Sequence, residues 1–153
     1  MLDMSTRRDF LKVAGVAALG LTLGISPVLN PSFAKISLEE ALKKHLGVGL
    51  SQIKESNEIK VKAPSIAESG ANVPIQISAT VPIEKVEALY IFVDKNPNPY
   101  IAHVEFTPMN GEVFFATRIK MGATSPVRAI LKLKDGSYLM AYKEVKVTVG
   151  GCG

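Results

Sequence analysis

Few residues in this chain are able to do covalent chemistry, and one stands apart: Cys152, in the terminal run Gly150-Gly151-Cys152-Gly153. It is the only cysteine in 153 residues, so no intrachain disulfide can form and no Cys-rich zinc or iron–sulfur site can be built. Glycine has no Cβ to restrict the backbone, and four residues extend about 13–14 Å at most. The run therefore predicts a thiol at the tip of a short, thin, flexible arm. An enzyme's nucleophile is held rigidly beside a base and oxyanion donors. Nothing on this segment would orient or activate the thiol, and a terminal carboxylate at Gly153 opposes thiolate formation. Cys152 thus reads as an attachment point for a covalently held group, with Gly150, Gly151 and Gly153 as the arm. A structural β-sandwich that dimerises through this cysteine is the alternative from another class. A prenylation signal needs the cysteine fourth from the end, and a thiol peroxidase needs an activating environment and a resolving partner that this sequence lacks.

The other candidates are weaker. His45 and His103 have no second ligand nearby in sequence, so they read as packed or surface histidines rather than a metal site. Arg118, Lys120, Arg128, Lys132 and Lys134 read as the solvated sides of alternating strands before they read as a basic docking face. Met109, Met121 and Met140 are expected to fill core gaps or a partner interface. No catalytic residue, metal ligand or cofactor is assigned.

The elements that must hold the arm follow from periodicity. Ser37-Leu38-Glu39-Glu40 opens like a capping box, Leu38, Ala41, Leu42, His45 and Leu46 fall at helical spacing, and Gly47 and Gly49 stop the run. A short amphipathic helix is expected over 38–46. Period-two patterning then predicts strands at 59–62, 75–81, 88–93, 102–106, 112–120, 127–134 and 138–149. Asn110-Gly111 and Asp135-Gly136 read as tight hairpin turns, and Asn96-Pro97-Asn98-Pro99 as a rigid loop. About seven short strands, whose apolar faces must bury against each other, predict an all-β, immunoglobulin-like antiparallel sandwich with one short N-terminal helix. The helix and the apolar run 88–93 are the best candidates for a partner contact.

Residues 1–34 do not belong to that pattern. Arg7-Arg8 precedes Phe10-Leu11-Lys12, an uncharged Ala/Gly-rich run covers Val13 to Leu29, and Ser32-Phe33-Ala34 offers small residues to a signal peptidase. This is the layout of an export signal, and the paired arginines resemble a twin-arginine leader that takes folded cargo. As a membrane anchor the run is short and weakly hydrophobic. Cleavage before Lys35 removes Arg7, Arg8 and Lys12 with Asp3 and Asp9, which lowers the formal net charge from +4 to +3. That is too little to imply a nucleic-acid partner. The expected organisation is a cleaved signal (1–34), a carrier domain (35–149) and an arm (150–153), in the periplasm and with no membrane contact in the mature form.

The tail Val145-Lys146-Val147-Thr148-Val149-Gly150-Gly151-Cys152-Gly153 strongly resembles the C-terminus of the SoxY family, the sulfur-carrier subunits of the thiosulfate-oxidising Sox system. Asn98-Pro99, Phe106-Thr107, Asn110-Gly111, Ala116-Thr117-Arg118-Ile119-Lys120, Pro126-Val127 and Asp135-Gly136-Ser137 extend the resemblance upstream. Many family members end with a further glycine, whereas this sequence stops at Gly153. The resemblance implies an immunoglobulin-like carrier, not an enzyme, that forms a heterodimer with a SoxZ-like subunit. It implies that a haem enzyme joins thiosulfate to the cysteine matching Cys152, that a dimetal hydrolase releases sulfate, and that in many systems a sulfane dehydrogenase oxidises what remains.

Overall fold

The structure is a computed structural model, and it describes residues 35–150. The expected export signal (1–34) and Gly151, Cys152 and Gly153 lie outside the described residues.

The helix α1 (Leu38–Leu46) has the bounds its sequence predicts. The Ser37 hydroxyl accepts from the Glu40 amide, and the Glu40 carboxylate accepts from the Ser37 amide at 2.8 Å, so two orphan donors of the first turn are satisfied. At the other end Gly47 takes φ +74°, a left-handed conformation that closes the helix at little steric cost, and the Tyr138 hydroxyl donates to the Leu46 carbonyl at 3.0 Å.

Nine strands follow: β1 (Lys54–Glu55), β2 (Ile59–Lys62), β3 (Ile66–Ser69), β4 (Val73–Ala79), β5 (Val86–Val93), β6 (Tyr100–Glu105), β7 (Val113–Ile119), β8 (Ser125–Leu133) and β9 (Tyr138–Val149). They form a six-stranded sheet in the order β1-β9-β8-β5-β6, with β3 also on β9, and a three-stranded sheet β2-β4-β7. The sandwich core is made by the inward residues of both sheets. Val73, Ile75 and Ile77 of β4 and Val113 of β7 meet Leu89, Ile91 and Val93 of β5 and Val127, Ala129 and Leu131 of β8. All seven expected strands are present, as β2 and β4–β9. The two additions, β1 and β3, are short and pair parallel with β9.

Two expectations need correction. Asn110-Gly111 is not a hairpin turn between neighbouring strands, because β6 pairs with β5 while β7 pairs with β4 in the other sheet. The segment is a crossover: Pro108–Asn110 makes one 3₁₀ turn, the Asn110 side chain accepts from the Thr107 amide at 2.8 Å, and Gly111 leaves at φ +76°. Asp135-Gly136, in contrast, does join the paired strands β8 and β9.

The sheet faces also do not bury only against each other. The outer face of the larger sheet is covered by α1: Ala41, Leu42 and Leu46 pack on Phe92, Ile130 and Met140. This is why β5 reads as a continuous apolar run, since one face supplies the sandwich and the other seats the helix. Much of the apolar surface of the helix and of β5 thus goes into packing within the chain.

Candidate functional site

The segment that leads to Cys152 is the end of β9, the longest strand. Its first part lies antiparallel to β8, with Lys132 opposite Tyr138 and Ser125 opposite Val145. There β8 ends, but β9 continues for four more residues. An unsupported strand end would fray, and here a different partner takes over: β3 pairs parallel with it, Ile66 opposite Lys146, Ala67 opposite Val147 and Ser69 opposite Val149. Side chains and turn backbone add to the grip. The Val147 amide donates to Thr124 Oγ1 at 2.9 Å, the Thr148 hydroxyl donates to the Glu68 carbonyl at 2.7 Å, and the Gly70 amide donates to the Val149 carbonyl at 2.8 Å. The strand is held up to its last residue.

Gly150 follows, and its surroundings differ from the expectation of a free arm residue. A Cβ built on it would run into the carbonyl oxygen of Gly122, a backbone atom that cannot rotate away. Gly150 is thus required for close approach, not for freedom of movement. Gly122 is itself fixed. Its amide donates to Asn96 Oδ1 at 2.9 Å, while Asn96 Nδ2 donates to the Lys120 carbonyl at 2.9 Å. Asn96 is almost fully buried, with 1% of its surface exposed, so these bonds satisfy a polar group that has no access to water. The same turn is tied to the β3 side, because the Met121 amide donates to the Gly70 carbonyl at 2.7 Å. Residues 65–70, 120–124 and Asn96 together make a collar around the end of β9.

The remaining candidates fall elsewhere. His45 stacks on the Tyr100 ring with centroids 3.7 Å apart, and the Tyr100 hydroxyl is hydrogen-bonded to His103 Nδ1 at 2.7 Å. Burial, then the nearby charges of Lys44 and His103, hold His45 below the usual imidazole range. Both histidines thus serve an aromatic cluster at the seat of α1, and no group of three or more His, Cys, Asp or Glu able to hold a metal occurs among the described residues. The five cations considered from sequence are split between β7 of the smaller sheet, β8 of the larger and the connections after them. Arg128 pairs with Asp94 at 2.7 Å and Lys132 with Glu87 at 2.7 Å, whereas Arg118 lines a groove of about 650 Å³ on the outer side of the smaller sheet, with Lys62, Pro74, Gln76 and Ala116. Met121 and Met140 are buried, but Met109 is exposed on the crossover and fills no core gap.

Sequence reasoning singled out Cys152 and its glycines, of which only Gly150 is among the described residues, and gave no role to Asn96, Gly122, Thr124 or Thr148. The available signal was faint: a short polar residue three positions after an apolar strand, where the chain must turn and bury an amide, and a Thr next to the end of a strand.

A family model described as the sulfur oxidation protein SoxY matches residues 43–152. The chain is similar to the structure of the sulfur carrier protein SoxY from Chlorobium limicola f thiosulfatophilum, with 30% identity and a TM-score of 0.63 over 74% of this chain and 97% of that one. It is also similar to a superoxide reductase (neelaredoxin) from Ignicoccus hospitalis, with 15% identity and a TM-score of 0.55 over 63% of this chain and 96% of that one. A putative superoxide reductase from Thermotoga maritima gives 15% identity and a TM-score of 0.52 over 65% and 98%. The reductases share the fold alone. No curated protein sequence matches the chain.

Proposed function

The chain belongs to the SoxY family, and from that premise we propose that it is a non-catalytic sulfur carrier that holds thiosulfate-derived intermediates on Cys152. The observation that carries this reading is the construction of β9. A strand gripped by two sheet partners, two side-chain hydroxyl groups and a buried turn delivers its chain end to Gly150, and the sole thiol of the sequence comes two residues later. The body is built to present a terminal segment.

The chemistry then belongs to the visiting enzymes. Loading joins the Cys152 sulfur to the outer sulfur of thiosulfate, with loss of the thiol proton and of two electrons to a haem enzyme. A dimetal hydrolase adds water across the sulfur–sulfonate bond and releases sulfate, leaving a persulfide on Cys152, which a sulfane dehydrogenase oxidises where one is present. Thiosulfate is a small soluble dianion, and tethering keeps each intermediate at high effective concentration for the next enzyme. A SoxZ-like subunit is the expected heterodimer partner. Residues 1–34 act as a twin-arginine signal, and the mature chain works in the periplasm.

Intact-mass spectrometry of the protein purified from cells growing on thiosulfate tests the proposal. Adducts of a thiosulfonate and of added sulfur are expected on the wild type and absent from Cys152→Ser, which keeps its fold. A wild-type mass that shows only a stable disulfide dimer, with no sulfur-bearing species, would establish the structural-dimer alternative instead.

A further inference from the structure

The carrier reading assigns Cys152 and its glycines but gives no task to Asn96. Buried polar side chains are costly unless bonded, and Asn96, at 1% exposure, makes both of its side-chain hydrogen bonds to the 120–122 turn. What Asn96 does is bridge the 120–122 turn from within, accepting from the Gly122 amide and donating to the Lys120 carbonyl. Gly122 in turn presents its carbonyl to Gly150 closely enough to exclude a side chain there. The chain of contact runs Asn96 to Gly122 to Gly150. Thr124, in the same connection, holds the Val147 amide from its other end.

We propose that Asn96 is a positioning residue for the thiol-bearing segment: by locking the 120–122 turn against Gly150 it fixes where the held strand ends and so limits the reach of Cys152. The inference rests on the carrier reading for its functional meaning. With Gly150 held, the thiol lies two residues past the clamp, and two residues span about 7 Å fully extended. A receiving active site must then lie within that distance of the docked body. Releasing the clamp lengthens the tether and lowers the fraction of docked encounters in which the sulfur sits at the reacting centre. The specificity of transfer becomes a matter of a short, measured tether rather than of a long swinging one.

A double-mutant cycle tests the clamp. Gly150→Ala must displace the Gly122 carbonyl, and amide exchange at Lys146–Val149 is expected to rise at least tenfold. In an Asn96→Ala background, where the turn is free to yield, the same substitution is expected to add less than threefold. Equal effects in both backgrounds, or no effect of Gly150→Ala, overturn the proposal. Should Asn96→Ala fail to fold, the NMR resonances of the Asn96 side-chain amide decide in the single variant Gly150→Ala: they are expected to shift, and unshifted resonances overturn it. The functional readout uses the thiosulfonate-loaded carrier with the purified sulfate-releasing enzyme. Asn96→Ala is expected to lower kcat about tenfold and leave KM within twofold, because docking uses the body and delivery uses the clamp. A changed KM with unchanged kcat overturns the positioning role. Exchange and coupling report on the clamp whether or not Cys152 carries sulfur, so a failure of loading would sink the carrier reading without touching these measurements.

Discussion

Thr148 donates its hydroxyl to the carbonyl of Glu68 at 2.7 Å, one residue before β9 ends, and so ties the last strand to a segment 80 positions earlier in the chain. The bond crosses the parallel β3–β9 seam, where only three register pairs hold the two strands together. Thr148→Val keeps the shape and the β-branching but removes the donor. A loss of about 1 kcal/mol is expected, the ordinary net worth of such a bond. The loss should be local: hydrogen exchange accelerates at residues 66–70 and 146–149 while the exchange of β5 and β8 is unchanged.

The seat of α1 is a second place where a single residue decides much. Phe92 has no exposed surface and lies under Leu42, which is likewise fully buried. Its ring also meets the Tyr100 ring edge-on at 5.8 Å. Phe92→Ala is expected to cost about 3–5 kcal/mol, since the helix cannot collapse into the gap without leaving its caps. Urea denaturation measures the loss, and far-UV circular dichroism shows whether the helix signal goes with it.

These two sites mark what the sequence could and could not say. Everything governed by local pattern was legible: the capping box at Ser37, the glycine stop at Gly47, the alternation of β9 and the doubly buried run of β5 each announce themselves within a few residues. Cys152 was singled out in the same way, by its glycine neighbours in the chain, and lies outside the described residues. Pairings across long separations were not legible. Ile66-Ala67-Glu68-Ser69 has no alternating pattern and becomes a strand only because the overhang of β9 needs a partner. Asn110-Gly111 has the chemistry of a hairpin turn, yet the sandwich uses it to change sheets. Asn96 looked like part of a rigid proline loop, and only its burial against residues 120–122 reveals its work. Gly150 carried a local meaning, freedom, that the tertiary contact with Gly122 replaces by its opposite.

The aromatic cluster predicts a pH dependence with a definite sign. His45 is held below the ordinary imidazole range, first by burial and then by Lys44 and His103. The folded state therefore binds its proton less readily than the unfolded chain. The contribution to stability is present above the unfolded value, about 6.5, and is lost as pH falls toward the lowered folded value. Thermal melts between pH 7.5 and pH 5 should show stability declining on the acid side. His45→Phe keeps a flat ring for Tyr100 to stack on but cannot titrate. That variant should lose this part of the slope, and an NMR titration of the wild type should place His45 below an exposed histidine.

Arg128 gives a prediction of a different kind. Its Nε and Nη2 donate to the Asp94 carboxylate at 2.7 and 2.8 Å, and its guanidinium lies 5.1 Å from the Tyr142 ring. Both partners of the ion pair are largely shielded from solvent. Arg128→Met fills similar volume but leaves Asp94 without its counter-charge. A cost of about 2–3 kcal/mol is expected, between the values for exposed and fully buried pairs. Replacing both members with apolar residues should recover much of that loss, and urea denaturation of the two variants distinguishes a stranded charge from lost packing.

The sharpest consequence for function concerns Gly151, the residue between the clamp and the thiol. It follows Val149, the last residue with a strand partner among the described residues, by two positions. Gly151→Val should leave the melting temperature unchanged. A β-branched side chain restricts the backbone on either side and thickens the segment just where it must enter another protein's active site. In a reconstituted pathway the variant should be loaded and processed about tenfold more slowly, equivalent to about 1.4 kcal/mol of lost transition-state stabilisation. Binding of the proposed SoxZ-like subunit should not change. The comparison with Gly151→Ala separates the two causes. Alanine is slim but still restricts φ, so a slow alanine variant points to backbone freedom and a fast one to girth. If Gly151→Val turns over like the wild type, the thiol is not delivered on a thin arm, and the account of Cys152 as a presented carrier site would have to be given up.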